Sequence, residues 1–129
     1  MTEFIEGISL WAYAKNYPKR MVDEKTSKFI FTQLIDGISY LHAMNIIHRD
    51  IKMENIIIDK SKNIKIIDFG FGTVASKTKL LNFYCGTPTY MPPEIVQKRE
   101  YIGHPADIWS CGILLYTLLC GFFPFKGKN

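Results

Sequence analysis

Cysteine is scarce in this chain, and its spacing pairs none of it. The three cysteines among 129 residues, Cys85, Cys111 and Cys120, form no C-x-x-C pair and are odd in number, which argues against a disulfide framework and against a structural zinc site. A reducing, intracellular compartment, in the simplest case the cytoplasm, is therefore expected. Charge of one sign is also lacking as a block. The formal net charge of +4 is spread over scattered lysines, so it points to a solvated surface and not to nucleic acid. The start, Met1-Thr2-Glu3-Phe4-Ile5-Glu6, lacks the basic-then-apolar pattern of a secretory leader. What the chain has in quantity is apolar residues, 47%, and aromatics, 14%, enough for a single domain with its own core.

The chemistry concentrates in His48-Arg49-Asp50-Ile51-Lys52-Met53-Glu54-Asn55 and the Asp68-Phe69-Gly70 that follows. A carboxylate at Asp50, an ammonium at Lys52, an amide oxygen at Asn55 and a second carboxylate at Asp68 supply a base, a cation and two hard oxygen ligands, a set suited to phosphate chemistry. Ile56-Ile57-Ile58 and Ile64-Lys65-Ile66-Ile67 are β-branched runs joined by Asp59-Lys60-Ser61-Lys62-Asn63. They read as a small hairpin that returns Asp68 toward Asn55.

Upstream, residues 9–15 predict a short helix ending before Pro18. Asp23 then predicts the N-cap of a long helix to about Ala43, whose Ile30, Leu34, Ile38 and Leu41 recur at helical spacing and form a core stripe. Gly37 inside that helix costs about 1 kcal/mol relative to alanine, so a neighbouring element is expected to pack closely there. His42 at the helix end reads as a packed or capping histidine. From Ile108 to Phe125 the chain is nearly all apolar, the pattern of a membrane helix or of a buried central helix. Ser110, Gly112, Thr117, Gly121 and Pro124 favour the buried helix.

These motifs, in this order and spacing, resemble the eukaryotic protein kinases. Lys52-Met53-Glu54-Asn55, Tyr101-Ile102-Gly103 and Gly121-Phe122-Phe123-Pro124-Phe125 look most like the calcium/calmodulin-dependent and SNF1-related group. The resemblance implies that Asp50 is the catalytic base, that Lys52 steadies the charge on the γ-phosphoryl group of ATP, and that Thr87 bonds both. It implies that Asn55 and Asp68 hold Mg2+. His48, Arg49, Phe69, Gly70, Glu94 and Asp107 would be structural support, with Asp107 accepting hydrogen bonds from catalytic-loop amides and Glu54 facing basic substrate residues. The backbones of Glu3 and Ile5 would bond adenine beside Thr2 as gatekeeper, and Ser9 and Ile57 would complete the nucleotide contacts, Ser9 replacing a carboxylate found near the ribose in some relatives.

The fold so implied is mainly α with a small β-hairpin, a kinase-like C-terminal lobe that is incomplete. Its parts would be a hinge at 1–7, a helical segment at 8–45, the catalytic loop and hairpin at 46–67, an activation segment at 68–94 and a central helix region at 105–121. Thr87 and Lys52 favour serine/threonine over tyrosine as acceptor. No G-x-G-x-x-G loop, no V-A-I-K lysine and no helix glutamate to pair with it occur, and these are parts the family needs for turnover. Helices that would bury the central helix and an arginine partner for Glu94 are also missing, so exposed apolar area is expected.

The implied partners are thus ATP, a protein substrate with a Ser/Thr acceptor, and a missing N-terminal lobe or regulatory partner, with no nucleic acid and no membrane. An inactive kinase fragment or pseudokinase-like module acting by partner binding is the alternative function. One departure concerns regulation. Phe83 stands where many relatives carry an activating threonine, so Arg49 would lack a phosphate to pair with, and Tyr84, Thr78, Ser76 or Thr73 would have to substitute if any residue does.

Overall fold

The computed structural model describes residues 7–124; Thr2, Glu3 and Ile5, expected at the adenine edge, lie outside the described residues. In chain order the elements are β1 (Ile8–Ser9), α1 (Leu10–Ala14), α2 (Glu24–Ala43), β2 (Ile46–Ile47), β3 (Ile56–Ile58), β4 (Ile64–Ile66), β5 (Thr73–Val74), β6 (Leu80–Leu81), α3 (Pro93–Val96), β7 (Tyr101–Ile102) and α4 (Gly103–Cys120). Short 3₁₀ turns fall at Pro18–Arg20, Met53–Asn55 and Pro88–Tyr90.

The long helix starts where a carboxylate can serve its unpaired amides. Asp23 is extended, and its Oδ2 accepts the Thr26 amide at 2.9 Å. From there Ile30, Leu34 and Ile38 are fully buried, as the helical spacing predicts, and α2 packs on α4 through Leu114 and Leu118. The core between them takes in Leu10, Ile51, Met53, Ile56 and Ile58, so the base of the Asp50 loop is anchored in the main core. Gly37 fits the expectation of close packing: a Cβ there would sit 3.1 Å from Cδ1 of Ile66.

Three details differ from the sequence expectation. The hairpin β3–β4 is not alone, because β1 pairs antiparallel with β3, Ile8 opposite Ile58 and Ser9 opposite Ile57. Two further two-stranded ladders, β2–β5 and β6–β7, tie the segment after Gly70 back to the body. These pairings are two residues long and join positions far apart in sequence, so no local period announces them. The first helix starts at Leu10 and not at Ser9, since Ser9 ends the strand and turns its hydroxyl oxygen to accept the Ala12 amide at 3.1 Å. That cap commits one acceptor of the residue expected near the ribose.

The apolar run resolves as α4, with Cys111, Ile113, Leu114 and Leu118 buried. No helix among the described residues is long and apolar enough to cross a membrane. Ile108, Tyr116 and Phe122 remain exposed, as expected for a helix with an uncovered side. The helix stops at Gly121, which is left-handed at φ 81° and returns its amide to the Thr117 carbonyl at 2.8 Å. A side chain there would collide with the Lys19 carbonyl. Gly121→Ala is therefore expected to cost about 1–3 kcal/mol, read as a lower midpoint in urea unfolding.

Candidate active site

The loop between β2 and the Met53–Asn55 turn is built from the backbone outward. Arg49 is left-handed at φ 69°, a conformation that a residue with a Cβ adopts only when it is held there. Asp107, on the first turns of α4 and 1% exposed, does the holding. Its Oδ2 accepts the His48 amide and its Oδ1 the Arg49 amide, both at 2.9 Å. His42 donates from Nε2 to the same Oδ2 at 2.9 Å, so this histidine is neither merely packed nor a cap; it joins α2 to α4 through the carboxylate that carries the loop. The His48 ring finishes the turn. Its Nδ1 accepts the Asp50 amide at 3.1 Å and its Nε2 lies 3.0 Å from the Ile67 carbonyl. An amide can only donate and a carbonyl only accept, so the ring proton sits on Nε2. The Phe69 ring closes against His48 edge-on at 4.9 Å.

Asp50 is 7% exposed, and each of its carboxylate oxygens is addressed. Oδ1 accepts the Thr87 hydroxyl at 3.3 Å. Oδ2 accepts Asn55 Nδ2 at 3.2 Å and stands 3.8 Å from Lys52 Nζ, which donates to Thr87 Oγ1 at 3.1 Å. Asn55 Nδ2 also donates to the Asp50 carbonyl at 2.8 Å. With both of those partners acceptors, the nitrogen must face Asp50, which leaves Oδ1 of Asn55 on the other side. Thr87 reaches this group because Gly86, at φ 107°, lets the chain pass the Arg49 carbonyl, 2.8 Å from where a Cβ would stand.

The hairpin brings the second carboxylate near, as its length implies. The Ile67 amide bonds the Asn55 carbonyl at 2.9 Å, and Asp68 follows at once, left-handed at φ 61°, exposed, and accepting the Gly70 amide on Oδ1 at 3.2 Å. No cluster of three or more His, Cys, Asp or Glu side chains that could hold a metal occurs among the described residues. One amide oxygen and one carboxylate fit a small hard cation that takes its remaining oxygens from phosphate and water, as Mg2+ does.

Other expected residues sit further out. Ser9 and Ile57 are register partners, with Ile57 half-buried on the side of β3 opposite to Ile56 and Ile58. Glu94 is half-buried on α3, and no ion pair of it occurs among the described residues. Two tyrosines to which the sequence reading gave no role in the site hold its edges. The Tyr90 hydroxyl accepts the Met53 amide at 3.3 Å, and the Tyr101 hydroxyl donates to the Phe83 carbonyl at 2.6 Å. Burial raises both phenol pKa values, so both keep their protons. The thiols are free, and burial pushes Cys111 up to about 12, which removes it as a nucleophile.

The protein kinase domain family matches residues 1–129. The chain belongs to that family. It is 44% identical over 128 residues to the probable serine/threonine-protein kinase HSL1 of Saccharomyces cerevisiae, covering 98% of this chain and 8% of that one. It is 45% identical over 113 residues to CBL-interacting protein kinase 31 of Oryza sativa subsp. japonica, covering 85% and 25%. It is 41% identical over 127 residues to the SNF1-related protein kinase catalytic subunit alpha KIN12 of Arabidopsis thaliana, covering 98% and 25%. The chain thus spans a quarter or less of the length of these three relatives.

Proposed function

We propose that this chain carries the catalytic loop of a serine/threonine protein kinase, which moves the γ-phosphoryl group of ATP to serine or threonine hydroxyls of protein substrates. The observation that carries the reading is the Asp50–Thr87–Lys52–Asn55 group, in which a buried carboxylate is oriented on both oxygens while a cation stands beside it. As the acceptor oxygen bonds to phosphorus and the bond from phosphorus to the ADP oxygen breaks, Asp50 takes the acceptor's proton. Lys52 compensates the negative charge at the same place, and Thr87 holds Lys52 and Asp50 in one geometry. Asn55 and Asp68 are the residues that would hold magnesium, which when bound neutralises phosphate charge. Ser9 and Ile57 would line the nucleotide, with Glu3 and Ile5 at its adenine edge. Glu54, exposed next to the loop, suits a basic residue in the substrate.

Exposed Ile108, Tyr116 and Phe122 favour a second reading, partner binding by a chain without turnover. One experiment separates them: labelled ATP and magnesium are offered with Ser/Thr and Tyr peptide pools to this chain beside its Asp50→Asn variant. Phosphoserine and phosphothreonine that disappear in the variant are the expected products. A folded chain that gives no more label than the variant supports partner binding instead.

A further inference from the structure

Arg49 follows a buried histidine and precedes a buried aspartate, yet is itself only half-buried. Its Nε donates to the Phe71 carbonyl at 2.6 Å. The Phe83 ring lies over its guanidinium, Cζ 5.1 Å from the ring centre, within the range at which a cation is drawn to the negative face of an aromatic ring. Burial raises the pKa of Tyr101, and the nearby Arg49 guanidinium draws it part of the way back, which places a third group from a third segment beside the same cation. No carboxylate forms an ion pair with it among the described residues.

The backbone around Phe83 is tied to β7. Leu81 pairs with Tyr101 in the β6–β7 ladder, and the Phe83 carbonyl takes the Tyr101 hydroxyl. The ring itself is 55% exposed, so core burial does not account for its position. Downstream, the chain runs directly through Gly86, whose backbone passes the Arg49 carbonyl, to Thr87 and its bond to Asp50. Whatever fixes residues 80–86 on Arg49 therefore also fixes Thr87 on the base.

We infer that Phe83 is a positioning residue: its ring, seated on the Arg49 guanidinium, docks residues 80–86 on the catalytic loop without any covalent modification of that segment. Where the sequence implied that Arg49 lacks a phosphate to pair with, an aromatic face takes the place of the counter-anion. The consequence for turnover rests on the phosphotransfer reading, whereas the docking itself does not.

The test is amide hydrogen exchange on the full 129-residue chain, followed in peptides spanning 76–87 and, as a reference, in peptides of α2. Phe83 is replaced by leucine, by tyrosine and, through amber suppression, by 3,4,5-trifluorophenylalanine, which keeps the ring's shape and strips the negative charge from its face. Exchange in 76–87 is expected to be about two- to fivefold faster in the leucine and trifluoro chains, with the tyrosine chain and the α2 peptides unchanged. A trifluoro chain that exchanges like the parent would overturn the proposal, because the ring would then act by bulk alone; so would a leucine chain that does. Phosphatase treatment of protein from its own cells is expected to leave exchange unchanged, and faster exchange after treatment would also overturn it. Exchange is indifferent to catalysis, so a failure of the kinase reading would appear separately, as absent transfer with this pattern intact.

Discussion

Asp107→Ala is expected to lower stability by about 3–5 kcal/mol and to cost the loop its geometry as well. The size follows from what the carboxylate does. It is almost fully buried and receives the His48 and Arg49 amides and the His42 ring. Alanine supplies no acceptor, and each buried donor left unpaired costs about 1–3 kcal/mol. The left-handed Arg49 loses what holds it, and Asp50 and the Phe83 ring both depend on its position. Asp107→Asn keeps one acceptor and is expected to fall between the two. Chemical denaturation of the three chains gives the stabilities, and the ring-current shift on the Arg49 Nε–H resonance reports the loop. A folded Asp107→Ala chain with an unchanged Arg49 resonance would show that the loop holds itself.

Asp50→Asn is expected to reduce phosphate transfer by roughly 10²–10⁴-fold, the range typical of a lost general base, while leaving the fold and nucleotide affinity nearly unchanged. An amide of the same shape still fits between Thr87 and Asn55, so the packing of Met53 and Ile51 into the core is undisturbed. What it lacks is a charge opposite Lys52, 3.8 Å away in the parent, and, on the proposed phosphotransfer reading, a site for the acceptor's proton. The split between kcat and the dissociation constant for ATP is the useful measurement. A variant that loses affinity and keeps kcat would reassign Asp50 from base to binding group.

Both predictions depend on residues that differ in how visible they were beforehand. Asp50, Lys52, Asn55 and Asp68 announce themselves by type and spacing, since two carboxylates, a cation and an amide oxygen lie close together along the chain. The α2 stripe is equally open to reading, because helical packing repeats at a fixed local interval and Asp23 marks its start. His42 was visible as a residue but not as a partner of Asp107, which lies 65 positions away. Tyr90 and Tyr101 gave no sign of the bonds they make, Tyr101 standing out only as part of a family motif; a tyrosine that holds a loop and one that fills a core look alike in sequence.

The sequence by itself determined the hairpin, the long helix and its buried face, and it set a carboxylate, a cation and hard oxygens close together at the loop; the mainly helical class came with the resemblance to the kinases. The former follow from period and residue type, which are local properties. The tertiary structure alone decided that Ser9 serves as a strand end and a cap, that Asp107 gathers three donors from two separate parts of the chain, and that Phe83 faces Arg49. Each of those is a choice of partner across a long stretch of chain, and the free energy that makes it comes from burial and unsatisfied hydrogen-bonding groups, which exist only once the elements have been brought together.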